Sequence, residues 1–171
     1  MDDRLKMEII LVLFGVIIGA SGYLANSFIL WTASVDKEKS DIAEGLFLDI
    51  SSLEENLVSA DSEFTSKGDN YIYIQPDPFY TDKGLFYVYQ RDIPKIDRKI
   101  ANETFIFYGH VLSAERLRGQ IYTIQRYGDT RMITTAEITQ QQSLTQKVAH
   151  EINSSVRMLP GLKQELNAVS L

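Results

Sequence analysis

Ile9 to Trp31, twenty-three consecutive residues without a formal charge, constrain this chain more than any other stretch. At about 1.5 Å of rise per residue they make a helix of about 35 Å, enough to cross a hydrocarbon layer of about 30 Å with some tilt. Thirteen of them are Leu, Ile, Val or Phe. Each favours insertion by roughly 0.3–0.6 kcal/mol, so about 4–8 kcal/mol stands against Asn26 and the small polar residues. Trp31 closes the run where an amphipathic ring favours the interface. The expected organisation is a polar tail (1–8), a transmembrane helix (9–31) and a single soluble domain (32–171), one modest core's worth of chain.

Two other readings of the run compete. Ile9–Ile18 followed by Ala20-Ser21-Gly22 partly fits a cleaved secretory signal, but the apolar run continues for nine more residues, and cleavage would leave a sticky amino terminus. A pilin-like subunit shares the order of tail, apolar helix and amphipathic continuation. No matching processing site stands in MDDRLKME, and no Glu lies inside the run. Gly15 and Gly19 have small-xxx-small spacing, extended by Ser21 and Gly22, so one helix face admits a second backbone and is a candidate homodimer seam. Arg4 and Lys6 before the span nearly balance Lys37 and Lys39 after it. The acidic segment that follows tips the expected placement of the domain to the extracytoplasmic side of the cell membrane.

There is no cysteine, which excludes disulfides, thiolate nucleophiles and cysteine-based metal sites. A net charge of −6 argues against general nucleic-acid binding. Residues 32–90 carry net −8 and residues 91–131 net +3. The plain explanation is two elements lying side by side with complementary faces, and the sharper one is an acidic docking face.

Beyond the span, Ile42, Leu46, Ile50, Leu53, Leu57, Ala60 and Phe64 recur every three or four residues and predict a helix over about 35–64. It either continues the anchor or starts afresh with Ser34 as its cap. Thr65 to Asn70 reads as a stop and loop. Tyr71–Gln75 and Leu85–Tyr89, rich in aromatic and β-branched residues around a Pro-containing connection, predict a β-hairpin over about 71–89. Strand parity would put Tyr71, Tyr73, Tyr87 and Tyr89 on one face, the candidate partner-binding surface. Asp92 with Pro94 opens a helix over about 93–127, Gly128-Asp129-Thr130 stops it and caps the next, and a more polar helix runs over about 131–159 until Pro160-Gly161 breaks it.

The stretch Phe107-Tyr108-Gly109-His110-Val111-Leu112-Ser113-Ala114-Glu115-Arg116-Leu117-Arg118, with GLFYVYQRDI before it, has an FY-x3-L-x-AE-x2-R pattern. It resembles small, uncharacterised single-span proteins of methanogenic archaea. The resemblance implies an anchored helical domain and no activity.

Catalytic signatures are absent: no G-x-S-x-G, phosphate loop or dinucleotide fingerprint occurs. His110 and His150 stand on different predicted helices, and a ligand set such as Glu103, His110 and His150 or Glu151 is one that any group of helices would permit, so no metal site is assigned. Arg116, Arg118, Arg126 and Arg131 could grip an anion or answer the acidic helix. Asn102-Glu103-Thr104 and Asn153-Ser154-Ser155 match glycosylation acceptors by composition.

The expected fold is therefore mostly α, a transmembrane helix followed by a three-helix bundle-like domain with an inserted β-hairpin. The expected role is a non-enzymatic interaction or structural subunit of a membrane assembly, with no catalytic residue, cofactor or metal and with a homodimer mate or membrane protein as partner. The alternatives are a ligand-sensing ectodomain that signals through a partner, and a pilin-like subunit.

Overall fold

The structure, a computed structural model, describes residues 3–68, 71–73, 77–81, 84–128 and 133–171, with side chains from residue 14 onward except 127–128. Among these residues four α-helices follow in order, α1 (Asp3–Lys67), α2 (Leu85–Tyr89), α3 (Arg98–Gly128) and α4 (Thr135–Ser170), with a 3-10 turn at Ile93–Lys95 before α3. The chain divides into two compact units, Met1–Lys39 and Ser40–Leu171.

In the first unit every large apolar side chain from Phe14 to Trp31 is more than 60 % exposed. α1 is thus long and apolar enough to cross a membrane, with no protein covering that apolar stretch. Ser34 is not a cap: its hydroxyl donates to the Trp31 carbonyl at 2.8 Å, a bond one turn back inside the helix.

In the second unit the stripe Ile42, Leu46, Ile50, Leu53, Leu57 and Ala60 is buried as its spacing requires. Full burial of one such Leu or Ile stabilises by about 1.5–3 kcal/mol. The stripe shares a core with Phe86 of α2, with Ile100, Phe107, Tyr108, Val111, Ala114 and Ile121 of α3, and with Leu144, Val148, Ile152, Leu159, Leu162 and Leu166 of α4. At the chain's end the Ser40 hydroxyl donates to the Ser170 carbonyl at 3.0 Å.

The β-hairpin does not form. Among the described residues there is no strand, Leu85–Tyr89 is a helical turn and a half, and Tyr71-Ile72-Tyr73 is irregular; Ile74-Gln75-Pro76 and the Asp82-Lys83 turn lie outside the described residues. Strand propensity loses to tertiary context. The amides of Leu85 and Phe86, which a helix start leaves unpaired, are satisfied by the Asp49 carboxylate of α1 at 3.2 and 3.4 Å. A helical turn puts Phe86 and Tyr89 on one side, toward the core, and leaves Val88 64 % exposed.

Three helix boundaries also move. The cap of α3 is Asp97, whose Oδ1 accepts from the amides of Lys99 (2.7 Å) and Ile100 (3.3 Å); Asp92 instead pairs with Lys95 at 2.7 Å. The cap of α4 is Thr134, in a reciprocal capping box with Glu137; the expected Asp129-Thr130 cap lies outside the described residues. Pro160 does not end α4, which continues to Ser170. Leu159, Leu162 and Leu166 are buried on both sides of it, and their packing outweighs the backbone bond that proline forfeits.

Candidate functional site

The four tyrosines expected on one face are divided between two places. Tyr71 is half-buried and its hydroxyl donates to Glu63. Tyr73 is 1 % exposed, with its ring beside Phe64 and stacked on Phe79; its amide donates to Thr145 Oγ1 and its carbonyl accepts from Gln125. These two, with ring centroids 6.5 Å apart, pack at the end of α1. Tyr87 and Tyr89 lie on α2, Tyr87 exposed and stacked on Tyr80, and Tyr89 half-buried against Gly45. Without a hairpin there is no shared strand face to hold all four.

The strongest polar constellation is Asp49. This carboxylate is 8 % exposed and accepts from the hydroxyls of Tyr80 and Tyr108, both at 2.6 Å, and from the Leu85 and Phe86 amides. The Tyr80 oxygen in turn accepts from the Phe86 amide at 3.0 Å, and Phe86 stacks on Tyr108 at 4.2 Å. One carboxylate thereby ties α1, the 79–86 segment and α3 together. Burial, and then the bond to Asp49, hold both phenols well above their ordinary pKa of 10. The donors face inward and are consumed by one acceptor, which makes the node a lock. Glu115 and Arg118 form a second one: Arg118 Nη2 meets Glu115 at 2.6 Å, and the other Glu115 oxygen accepts from the Phe79 amide at 2.8 Å. The residues of the FY-x3-L-x-AE-x2-R pattern are thus structural, since Phe107, Tyr108 and Ala114 are fully buried and Glu115 and Arg118 fix a loop.

The sequence-expected ion pairing of the acidic part of α1 with the α3 arginines takes a different form. Arg118 bonds within its own helix, Arg126 is exposed, and Arg131 lies outside the described residues. An ion pair that does reach α1 comes from α4, where Lys163 meets Glu54 at 2.6 Å and also stands over the Phe47 ring.

A polar cleft opens between α3 and α4. Its volume is about 450 Å³, and its walls are Ser113, Arg116 and Leu117 of α3 with Ser143, Gln146, Lys147, His150 and Glu151 of α4. The spacings, three and four residues on both helices, are those of one face. At its edge Glu151 bridges the helices, with Oε2 2.6 Å from His110 Nδ1 and Oε1 accepting from the Ser113 hydroxyl at 3.2 Å. Serine hydrolysis needs the imidazole between hydroxyl and carboxylate. Here the carboxylate stands between the other two, an interhelical clamp. Glu103, His110 and His150 do not assemble into a ligand set, and no group of three potential ligands is close enough for a metal among the described residues. In the apolar unit, a Cβ at Gly15, Gly19 or Gly22 would meet nothing within 4 Å.

No protein-family model matches the chain, and no curated protein or solved structure is similar to it at a significant level.

Sequence reading missed Asp49, Tyr80, Lys147 and the Ser113–Glu151 clamp. A signal for the first existed: Asp49 stands three residues after Leu46 and four before Leu53, next to Ile50 and on the edge of the apolar stripe, where a carboxylate must find donors. The cleft residues also recur at helical spacing, but which polar stripe faces which is set by the packing of α3 on α4.

Proposed function

We propose that the chain is a membrane-anchored, non-enzymatic interaction subunit, held by a single span over about 9–31 and displaying residues 32–171 outside the cytoplasm. The observation that carries this reading is the uncovered apolar stretch of α1, where eighteen residues from Phe14 on include ten large apolar side chains, all more than 60 % exposed. Such a surface needs lipid or a partner. In support, the polar groups of the second unit described above bind one another, buried Asp49 to two phenols and half-buried Glu115 to Arg118 and a loop amide. The resulting stable helical unit suits a scaffold role. The open space around Gly15, Gly19 and Gly22 suits close approach of a second span.

The test is extraction of cell membranes with alkaline carbonate, followed by native mass spectrometry of the full chain released from nanodiscs. The reading expects the protein in the pellet and an assembly larger than one chain that is lost when Gly15 and Gly19 are both changed to Leu. Protein in the supernatant would contradict the anchor, and a monomer under all conditions would contradict the subunit. A second reading, a ligand-sensing ectodomain, is favoured by one observation, the polar cleft between α3 and α4.

A further inference from the structure

We infer that the α3–α4 cleft is a binding site for a small phosphate-class oxyanion, such as inorganic phosphate or a phosphate monoester. The cleft lies wholly within the second unit, so the inference holds or fails independently of the membrane reading. It begins with charge. On a chain of net −6, Arg116 and Lys147 bring two exposed cations to one cleft, and neither has a carboxylate partner among the described residues. Four other cations of the described residues are paired, Lys95 with Asp92, Lys99 with Glu165, Arg118 with Glu115 and Lys163 with Glu54; Lys67, Arg91, Arg98, Arg126 and Arg157 are exposed, as Arg116 and Lys147 are, but do not line this cleft.

The acid in the wall weakens their field but aims its oxygens away from the cleft. Both oxygens of Glu151 are engaged, one by His110 at 2.6 Å and one by the Ser113 hydroxyl at 3.2 Å, so its acceptor capacity is directed into the clamp. What remains facing the cleft is a set of donors: a guanidinium, an ammonium, the Ser143 hydroxyl, the Gln146 amide and the His150 ring. Planar guanidinium forks and ammonium groups are the standard partners of tetrahedral oxyanions.

Shape narrows the ligand further. The volume of about 450 Å³ falls within the range of small-molecule sites. Leu117 is the one apolar residue among the wall residues and the exposed His150 imidazole the one ring, so no pair of rings is offered to sandwich a nucleobase. The favoured ligand is compact and polar on every side. Arg116 and Ser113 also line an adjoining hollow of about 300 Å³ with Gly109 and Leu112, which gives the guanidinium room to turn toward either side.

The experiment is isothermal titration of full-length protein in a non-ionic detergent with inorganic phosphate, at constant ionic strength because exposed charges are screened by salt. Saturable one-to-one binding is expected, at least tenfold weaker in Arg116→Gln/Lys147→Gln and tighter in Glu151→Gln, which removes the negative charge from the wall. Arg157→Gln, an exposed cation elsewhere on α4, should bind as the parent does. Circular dichroism checks that each variant is folded. A second arm places the protein in nanodiscs with and without phosphatidate. Competition with free phosphate would make a lipid headgroup the source of the phosphomonoester, and absence of competition would make it a solute. No saturable binding, or an equal loss in Arg157→Gln, would overturn the inference, because binding would then track net charge alone.

Discussion

The two halves of α1 use the same kinds of residue in opposite ways. From Phe14 to Trp31 large apolar side chains surround the helix and are more than 60 % exposed; between Ile42 and Ala60 the stripe of Ile42, Leu46, Ile50, Leu53, Leu57 and Ala60 is at most 5 % exposed, and only Leu48 and Val58 of the large apolar side chains there face out. The helix is continuous in both. The difference teaches that the arrangement of apolar residues, more than their number, selects the solvent. An all-round apolar surface can be satisfied only by lipid or another apolar helix, whereas a stripe can be satisfied by this chain's own α2, α3 and α4.

The contrast can be broken most severely at Asp49. Asp49→Ala should strip two phenols and two amides of their acceptor and cost about 3–5 kcal/mol in urea unfolding of the detergent-solubilised chain, whereas Asn26→Ala in the apolar half should leave that transition in place. Next comes a matched truncation. Leu46→Ala should cost about 2–5 kcal/mol by leaving a cavity, and Ile17→Ala, with 61 % of its surface exposed, should not move the same midpoint.

A smaller, graded effect follows from Tyr80 and Tyr108. Their phenols are held above the ordinary value of 10 by burial and by the bond to Asp49. Below pH 10 both are protonated in folded and unfolded chains, so their contribution is complete. Above pH 10 the unfolded chain loses protons that the folded chain keeps, and stability falls by about 1.4 kcal/mol per pH unit for each phenol. Urea midpoints measured from pH 9 to 11.5 should decline only above 10, and Tyr80→Phe should flatten the decline.

The mildest comparison is between two glycines of one helix. A Cβ at Gly45 would overlap the Tyr89 ring, whereas one at Gly19 meets nothing. Gly45→Ala should therefore displace the Tyr89 ring and cost at most about 1–2 kcal/mol, overpacking being partly offset by alanine's better helix propensity, and Gly19→Ala should leave the unfolding of the second unit unchanged.

Legibility in the sequence follows the same division. The uncharged run and the 42–60 stripe are local periodic signals, and both are present where their spacing puts them. The 71–89 segment is where local reading failed, because Leu85–Tyr89 has the composition of a strand but finds its hydrogen-bond partner in Asp49, thirty-six residues earlier. The tyrosines went astray with it, since a parity argument assumes the strand. Asp92 and Asp97 both precede helical residues and both look like caps; only the path of the chain around Ile93 and Ile96, both buried, decides which carboxylate faces free amides. Pro160 reads as a break until the leucines on either side are known to share one core. For the candidate site, Arg116 was legible as one of four arginines that could grip an anion or answer the acidic helix, but Lys147 and the Glu151 clamp depend on the register of α4 against α3.

The central claim, that lipid covers residues 14–31 while water surrounds the second unit, is open to a direct measurement because the chain has no cysteine. Ile17→Cys and Leu48→Cys introduce single thiols at two apolar positions of α1 with similar exposure, 61 % and 56 %. In membrane vesicles made accessible on both sides, a charged maleimide should label position 48 within minutes and position 17 only after the membrane is dissolved and the protein denatured. Equal labelling rates at the two positions in intact membranes would contradict the account.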